Sequence, residues 1–424
     1  MTLNSSDFRW LRSAGDSFFE ARAVVAAWCA AGCTMLALSG SASAADTPAG
    51  GEGRAVLIDD QLASRSIIVV SLDERLLEFV DEQQRQRTLT RAAVLALIPE
   101  VKIDTVPQRN RAARASGGGM LELTDGQRFE GDLTPTGGTD QSLAWRHPIL
   151  GQLSFPIEHA LSFWRPSAPE ALRASSASAV TSDTLFLNNQ DQLSGFLASA
   201  GDPIRIETPE GVIDLPPERV VGAVLANPRR AAAGARVWLD GGTAVNASRL
   251  TIDASLRSSF VLEHGASAMV VWSQLRAISF DSGRLVPLAS IAPLSQSAAA
   301  GRRYAPPIRL SGSAPLDAQD IVMPGPMSVT WTLPDSARRL SFTAMLGEGT
   351  APWGDCEVIV TIDGGEVARR RLNTDAPAAS ISVPVNGHSL TITVDSGRFG
   401  PIRDWVILGR PMILVGAPSG SVGE

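Results

Sequence analysis

RLSFTAML (339–346), CEVIVTIDGG (356–365), ASISVPVNG (379–387), HSLTITVDSG (388–397) and DWVILGRPMIL (404–414) are the segments whose reading decides the fold. Apolar and polar residues alternate through most of them, and Gly, Pro, Asn or Asp closes one run before the next. That is the pattern of short, half-buried antiparallel strands. Together with VTWTLP (329–334) they predict an antiparallel β-sandwich over residues 305–416. Trp331 shares the phase of Val329 and Leu333 and is expected to face the core. Trp405 is expected in the core or at a strand end.

Upstream of this stretch the chain repeats itself by pattern more than by identity. LELTDGQRFEGDL (121–133) leads to LGQLSFPIEHALSFWRP (150–166), and LFLNNQDQLSGFL (185–197) leads to EGVIDLPPERVVGAVLANP (210–228). VWLDGGTAVNASRL (237–250) leads to GASAMVVWSQLRAISFDSG (265–283). A degenerate copy stands in front, AVLIDDQLASRSIIVVSL (55–72) with RTLTRAAVLALIPEV (87–101). Each copy reads as strand, Gly/Asn/Asp turn, strand, strand, then a Gly-led strand, a short turn and a last apolar strand. Four units are expected at 54–106, 118–166, 183–228 and 235–290, as small SH3-like or Sm-like barrels or as one extended array. Ala/Ser/Gly/Arg-rich linkers such as RNRAARASGGG (109–119) separate them. The fold class is therefore all-β, with β-barrel units followed by a jelly-roll-like sandwich.

Composition narrows the function more by exclusion than by indication. The net charge is −7, Lys102 is the single lysine, and no basic cluster of nucleic-acid type occurs. Three cysteines, two of them Cys29 and Cys33 near the N-terminus, build neither a disulfide framework nor a zinc cluster. Cys356 reads as a small residue at a strand start. Among the four histidines, His147 and His159 fall in one unit and read as a turn residue and a cap. No H-E-x-x-H, G-x-S-x-G, P-loop or G-x-G-x-x-G is present, so no metal or other cofactor is expected. The pairs Asp125-Gly126, Asp240-Gly241 and Asp363-Gly364 read as hairpin turns, since the ligand spacing of an EF-hand is missing. Carboxylates are plentiful but nothing singles out two, and a polysaccharide hydrolase stays as the third reading.

Residues 23–38, AVVAAWCAAGCTMLAL, follow Arg22 and precede the small-x-small site Ala42-Ser43-Ala44. This is the anatomy of a secretory signal peptide over residues 1–44, with export and no stable transmembrane span after processing as the expectation. Residues 1–44 carry three arginines (Arg9, Arg12, Arg22) and three acids (Asp7, Asp16, Glu20), so a processed chain keeps the net charge of −7.

Trp353 lies in GEGTAPWGDC (347–356), a Gly/Pro-bearing loop between predicted strands, where an aromatic face suits stacking on a sugar ring. Asp355, Arg398 and Asp404 are polar neighbours in such loops and complete the expected ligand-binding set. The stretch 308–414 also resembles the NPCBM family of carbohydrate-binding modules. RLSFTAMLGEG (339–349), CEVIVTIDGGEVARRRLN (356–373), SISVPVNGHSLTITVDSG (380–397) and RDWVILGRPMIL (403–414) carry the likeness. The front departs from it: AQDIVMPGPMSVTWTL (318–333) has no histidine where the family commonly shows one. The layout of small β repeats before such a module is also similar to that of secreted planctomycete-type bacterial proteins. The resemblance implies a jelly-roll-like sandwich that binds a polysaccharide or other glycan. The expectation is an exported, non-catalytic binding protein for carbohydrate or a cell-surface partner. The alternative is a structural or assembly protein of the cell envelope that meets protein partners through its repeats.

Overall fold

Each alternating segment that flanks a Gly, Asn or Asp turn folds as an antiparallel hairpin. The computed structural model describes residues 53–100, 118–135, 141–169, 172–173, 180–232, 234–262, 267–299, 302–311, 315–347, 354–400 and 404–416. The segment read as a signal peptide, Trp353 and His264 lie outside the described residues. Among those described, the regular structure is strands and one-turn 3-10 helices apart from the helical residues 172–173, and no helix is long and apolar enough to cross a membrane.

Four five-stranded units share one topology. In the second, Gly119–Leu123 pairs with both Arg128–Leu133 and Ala160–Trp164, and Ser142–His147 links the hairpin to Gly151–Pro156. The same first-to-second and first-to-fifth pairings occur in the units that begin at Arg54, Asp183 and Ala235. The first turn of every unit contains a residue in the left-handed region, namely Leu62, Gly126, Gln190 and Gly241. A 3-10 turn (Arg91–Ala93, Ile157–His159, Pro217–Arg219, Trp272–Gln274) precedes each fifth strand. Five short strands bent around one apolar face make a small barrel, so the predicted all-β architecture is the observed one.

How the units join was not legible beforehand. The fifth strand of the second unit pairs with that of the third, Phe163 opposite Ala223. The fifth strand of the first pairs with that of the fourth, Leu97 opposite Ile278. All four residues are the fourth after their 3-10 turn, so both pairs are centred on the same repeat position. The units are therefore nested, the inner two together and the outer two together. One continuous apolar core runs through all four, from Leu57 and Val69 to Phe260 and Ile278. A unit of this size buries too little surface to be stable alone, and the shared core supplies what each lacks.

The sandwich stacks a six-stranded sheet on a five-stranded one. Leu340, Phe342 and Leu408 of the first meet Trp331, Val360 and Ile392 of the second, all buried. Its sheets begin earlier than residue 305. Leu285–Pro287 pairs with Trp405–Val415, and Ser295–Ala298 pairs with Met327–Thr332. LVP and SQSA are too short and too plain in pattern to announce themselves as strands.

A second apolar cluster joins array and sandwich, with Ile58, Leu62, Leu95 and Trp238 against Leu316, Met412 and Leu414. Leu316 reaches it from a one-turn hook, Pro315–Asp317, whose Leu316 and Asp317 have φ of 66° and 55°. Arg128 of the second unit and Arg236 of the fourth both pair with the Asp317 carboxylate, the latter at 3.8 Å. Two guanidinium groups from separate units thus fasten one loop of the sandwich segment.

Candidate functional site

The connection between strands Ser389–Ser396 and Trp405–Val415 forms part of one end of the sandwich, and Asp355 organises it. Asp355 immediately precedes strand Cys356–Ile362 and is 3% exposed. Its Oδ1 and Oδ2 accept from Nε and Nη2 of Arg371 at 2.8 and 2.7 Å. Oδ2 also accepts the backbone N–H of Arg398 at 2.8 Å, and its carbonyl accepts the N–H of Gly397. A Cβ on Gly397 would overlap the Asp355 backbone, which is why glycine stands there. The Arg371 hydrogen bonds, seconded by Arg398, hold the Asp355 carboxyl below the usual carboxylate range.

Asp404 lies on the other side of this residue and behaves in the opposite way. It is 1% exposed, and neither side-chain oxygen has a hydrogen-bond partner. Burial pushes its carboxyl up to about 6. The nearby backbone N–H of Asp355, outside hydrogen-bond geometry, and the charge of Arg302 pull against that, and the negative Asp355 and Asp395 add to it. Cys356 lies behind both acids, fully buried and free, its thiol pushed up to about 12 by burial and then by Asp404 and Asp355. A thiol so protonated is a packing group, as the sequence suggested.

Of the four residues expected to touch a ligand, three are brought together here: Asp355, Arg398 and Asp404. The geometry separates their roles. The Asp355 carboxylate is engaged by the protein's own Arg371 and Arg398, and Asp404 is enclosed. Arg398 is exposed, its guanidinium 5.7 Å from the ring centre of Phe399.

Two exposed aromatics belong to the same end: Phe399 within the connection, which was not singled out from sequence, and Trp405 at its close, which was expected in the core or at a strand end. Phe399 is 44% exposed and Trp405 is 49% exposed. Trp405 stands at a strand end on the outer face of the six-stranded sheet, so a core position is ruled out. Val406 and Leu408 take the inward phase, which leaves Trp405 and Ile407 facing out. Pro324 lies beside Trp405, and the next row is Val322, Ile407 and Met345, all half-buried. The period-two phase of WVIL carried this signal, but four consecutive apolar residues masked it.

The histidines expected in a turn and a cap are held by separate partners. His147 accepts the N–H groups of Ile149 and Leu150 on Nδ1, while its Nε2 bonds Thr243 Oγ1 at 2.8 Å. His159 meets Arg230 and Glu158. Among the described residues no group of three or more His, Cys, Asp or Glu is placed to hold a metal ion. The Asp-Gly pairs are turns: Gly126, Gly241 and Gly364 have φ of 79°, 79° and 82°.

No family model matches the chain, and no curated protein matches it either. Solved structures similar to it include several carbohydrate-binding modules. CBM51-2 in complex with GlcNAc and INT domains from Clostridium perfringens ZmpB shares 12% identity at a TM-score of 0.27, over 40% of this chain and 44% of that one. CBM51 from Clostridium perfringens GH95 in complex with methyl-galactose shares 15% identity at 0.26, over 30% of this chain and 99% of that one. A family 6 carbohydrate-binding module shares 11% identity at 0.19, over 31% and 93%. Likeness at this level assigns no ligand to the present chain.

Proposed function

We propose that the chain is an exported, non-catalytic binding protein whose C-terminal sandwich recognises carbohydrate at the loop end built on Asp355. The observation that carries this reading is the pair of exposed aromatic rings, Phe399 within and Trp405 at the close of a connection held at its backbone N–H groups by buried Asp355, itself gripped by Arg371. Sugar rings present a weakly apolar C–H face, and rigid aromatic side chains bind such faces at low entropic cost. Arg398 supplies exposed N–H donors beside Phe399 for ring hydroxyls. Asp355 and Asp404 act from beneath, shaping the connection. Trp353, two residues before Asp355 in sequence, stays a stacking candidate from the sequence alone. The resemblance of 308–414 to NPCBM modules supports the reading, as does the secretory pattern of residues 1–44.

The test is glycan-array binding of the full chain, with galactose and N-acetylglucosamine glycosides among the first probes. Saturable binding that falls at least about tenfold in Trp405→Ala or Trp353→Ala, with folding unchanged, is the expected result. A folded protein that ignores every glycan sinks the proposal. Hydrolysis of a polysaccharide panel would favour the hydrolase instead.

A second reading, an envelope assembly protein, draws on the array. Phe196 and Val212 are about 60% exposed and share Glu207 as cross-strand neighbour, which makes an apolar spot on the third unit. Self-association without glycan affinity, abolished by Phe196→Ser, would favour it.

A further inference from the structure

The fourth strand of every barrel unit pairs, among the described residues, with the third strand alone, so each unit ends on an open edge. Such an edge is a template for another strand unless a charge or a proline blunts it. The 3-10 turn that follows each fourth strand gives the four units a common reference. The residue immediately before it is Thr90, Pro156, Pro216 and Val271 in turn. Two places earlier stand Thr88, Ser154, Asp214 and Met269. Only the fourth unit is apolar at both places, and both side chains are exposed, Met269 at 63% and Val271 at 48%. Its strand Ser267–Val271 holds neither charge nor proline. We propose that this strand is a dimerisation edge, pairing antiparallel with the same strand of a second copy about a two-fold axis at Met269.

The backbone is oriented for this pairing. Trp272 N–H donates to the Leu256 carbonyl at 3.0 Å, and the register sets Arg257 opposite Val271, Ser259 opposite Met269 and Val261 opposite Ser267. Hydrogen-bonded and non-bonded pairs alternate along an antiparallel ladder, so Ala268 and Val270 are the residues bonded to the neighbouring strand. The N–H and C=O groups of Ser267, Met269 and Val271 point to the open side. Val271 N–H donates there to Gln274 Oε1 at 3.1 Å, which leaves Ser267 and Met269 as donors. Two copies centred on Met269 exchange both Met269 bonds, and each Ser267 N–H meets the Val271 carbonyl of the other copy.

The side chains favour a second copy as the occupant. Across the joined sheet the central row reads Ser259, Met269, Met269, Ser259. The rows on either side read Val261, Ser267, Val271, Arg257 in opposite directions. Each copy thus sets its exposed Met269 and Val271 beside those of the other and takes them out of water. At a two-fold axis the central residue meets itself, so a charge there would meet its like. Asp214 forbids the same pairing in the third unit, and Met269 permits it in the fourth. The two Arg257 side chains, the only charges in these rows, stand at opposite corners.

One five-residue edge is a small contact beside a standard interface of roughly 1,200–2,000 Å², so the expected dimer is weak and concentration-dependent. The test is sedimentation equilibrium of the full chain from about 10 μM to about 1 mM, a range that brackets such affinities. The mass should rise toward twice that of one chain and stop there, because pairing uses up the edge. Met269→Lys sets a charge against its own copy. Met269→Pro deletes an N–H that faces the open side and spares the ladder to the neighbouring strand. Each should weaken association at least about tenfold, while Phe196→Ser on the third unit leaves it unchanged. Met269 is exposed, so the Lys variant keeps the test valid should the Pro variant fail to fold. A monomer throughout the range overturns the proposal, as does association that the Lys variant leaves intact. Association lost in Phe196→Ser alone overturns it in favour of the third unit.

Discussion

Acidification offers a sharp test of the joint between the second and fourth units, through His147. The ring is 2% exposed and makes three hydrogen bonds. Because Nδ1 accepts two backbone N–H groups, the ring proton resides on Nε2, which donates to Thr243 Oγ1 across the unit boundary. Protonating Nδ1 would break both accepted bonds and bury a charge, and burial lowers the imidazole from 6.5 to about 4. The folded state therefore binds fewer protons than the unfolded chain between those values. The resulting stability is complete above pH 6.5 and is lost as pH falls from there towards 4. Linkage puts the loss between pH 7.5 and 4.5 at about 2.5 kcal/mol. Urea titrations of wild type and His147→Gln at both pH values isolate it, because all other titrating groups cancel in the difference. The variant is expected to lose about 1–3 kcal/mol at pH 7.5 and to close most of that gap by pH 4.5. An equal gap at both pH values would refute the assignment of a neutral, buried ring.

Asp404 responds with the opposite sign. Its folded-state carboxyl is raised to about 6 against an ordinary 3.8, so its ionisation erodes stability as pH rises through that interval. Asp404→Asn should be more stable than wild type at pH 8 by about 1–2 kcal/mol, after allowance for solvent screening at the loop end, and nearly equal to it at pH 4; a variant less stable at pH 8 would mean the carboxylate has a partner. Gly222 lies in the joint of the second and third units with the Trp164 ring where a Cβ would go, so Gly222→Ala should destabilise the array by about 1–3 kcal/mol in denaturant. An unchanged midpoint would refute that packing. Leu316, 5% exposed, should cost about 2–4 kcal/mol when cut to Ala and should split one unfolding transition into two, visible by calorimetry. A single, unshifted transition would show that the hook does not couple array to sandwich.

Much of the architecture was legible because strand and turn chemistry are local. The alternation in SLTITV follows the burial pattern residue by residue, that in CEVIVTI does so except at the outward Ile359, and Asp363-Gly364 turns where the pattern breaks. The nesting was hidden because Phe163, Leu97, Ala223 and Ile278 look like any other apolar strand residue. Which fifth strand meets which is settled by the shared core. At the sandwich end, chain proximity placed Asp355, Arg398 and Asp404 together, but sequence is silent on which carboxylate faces an arginine and which faces none. Trp405 was obscured for a different reason, since an apolar run conceals the phase of its own alternation.

The nested pairing has a consequence for the size of the array. Every fifth strand is occupied on both sides, by the first strand of its own unit and by the fifth strand of its partner. A solenoid grows by adding a repeat to an open end, whereas here the units close like parentheses and this edge offers no place for another. Copy number is then a matter of parity: a fifth unit would have no fifth-strand mate, and deleting one of the four would strand another. Length change in this protein must come in matched pairs.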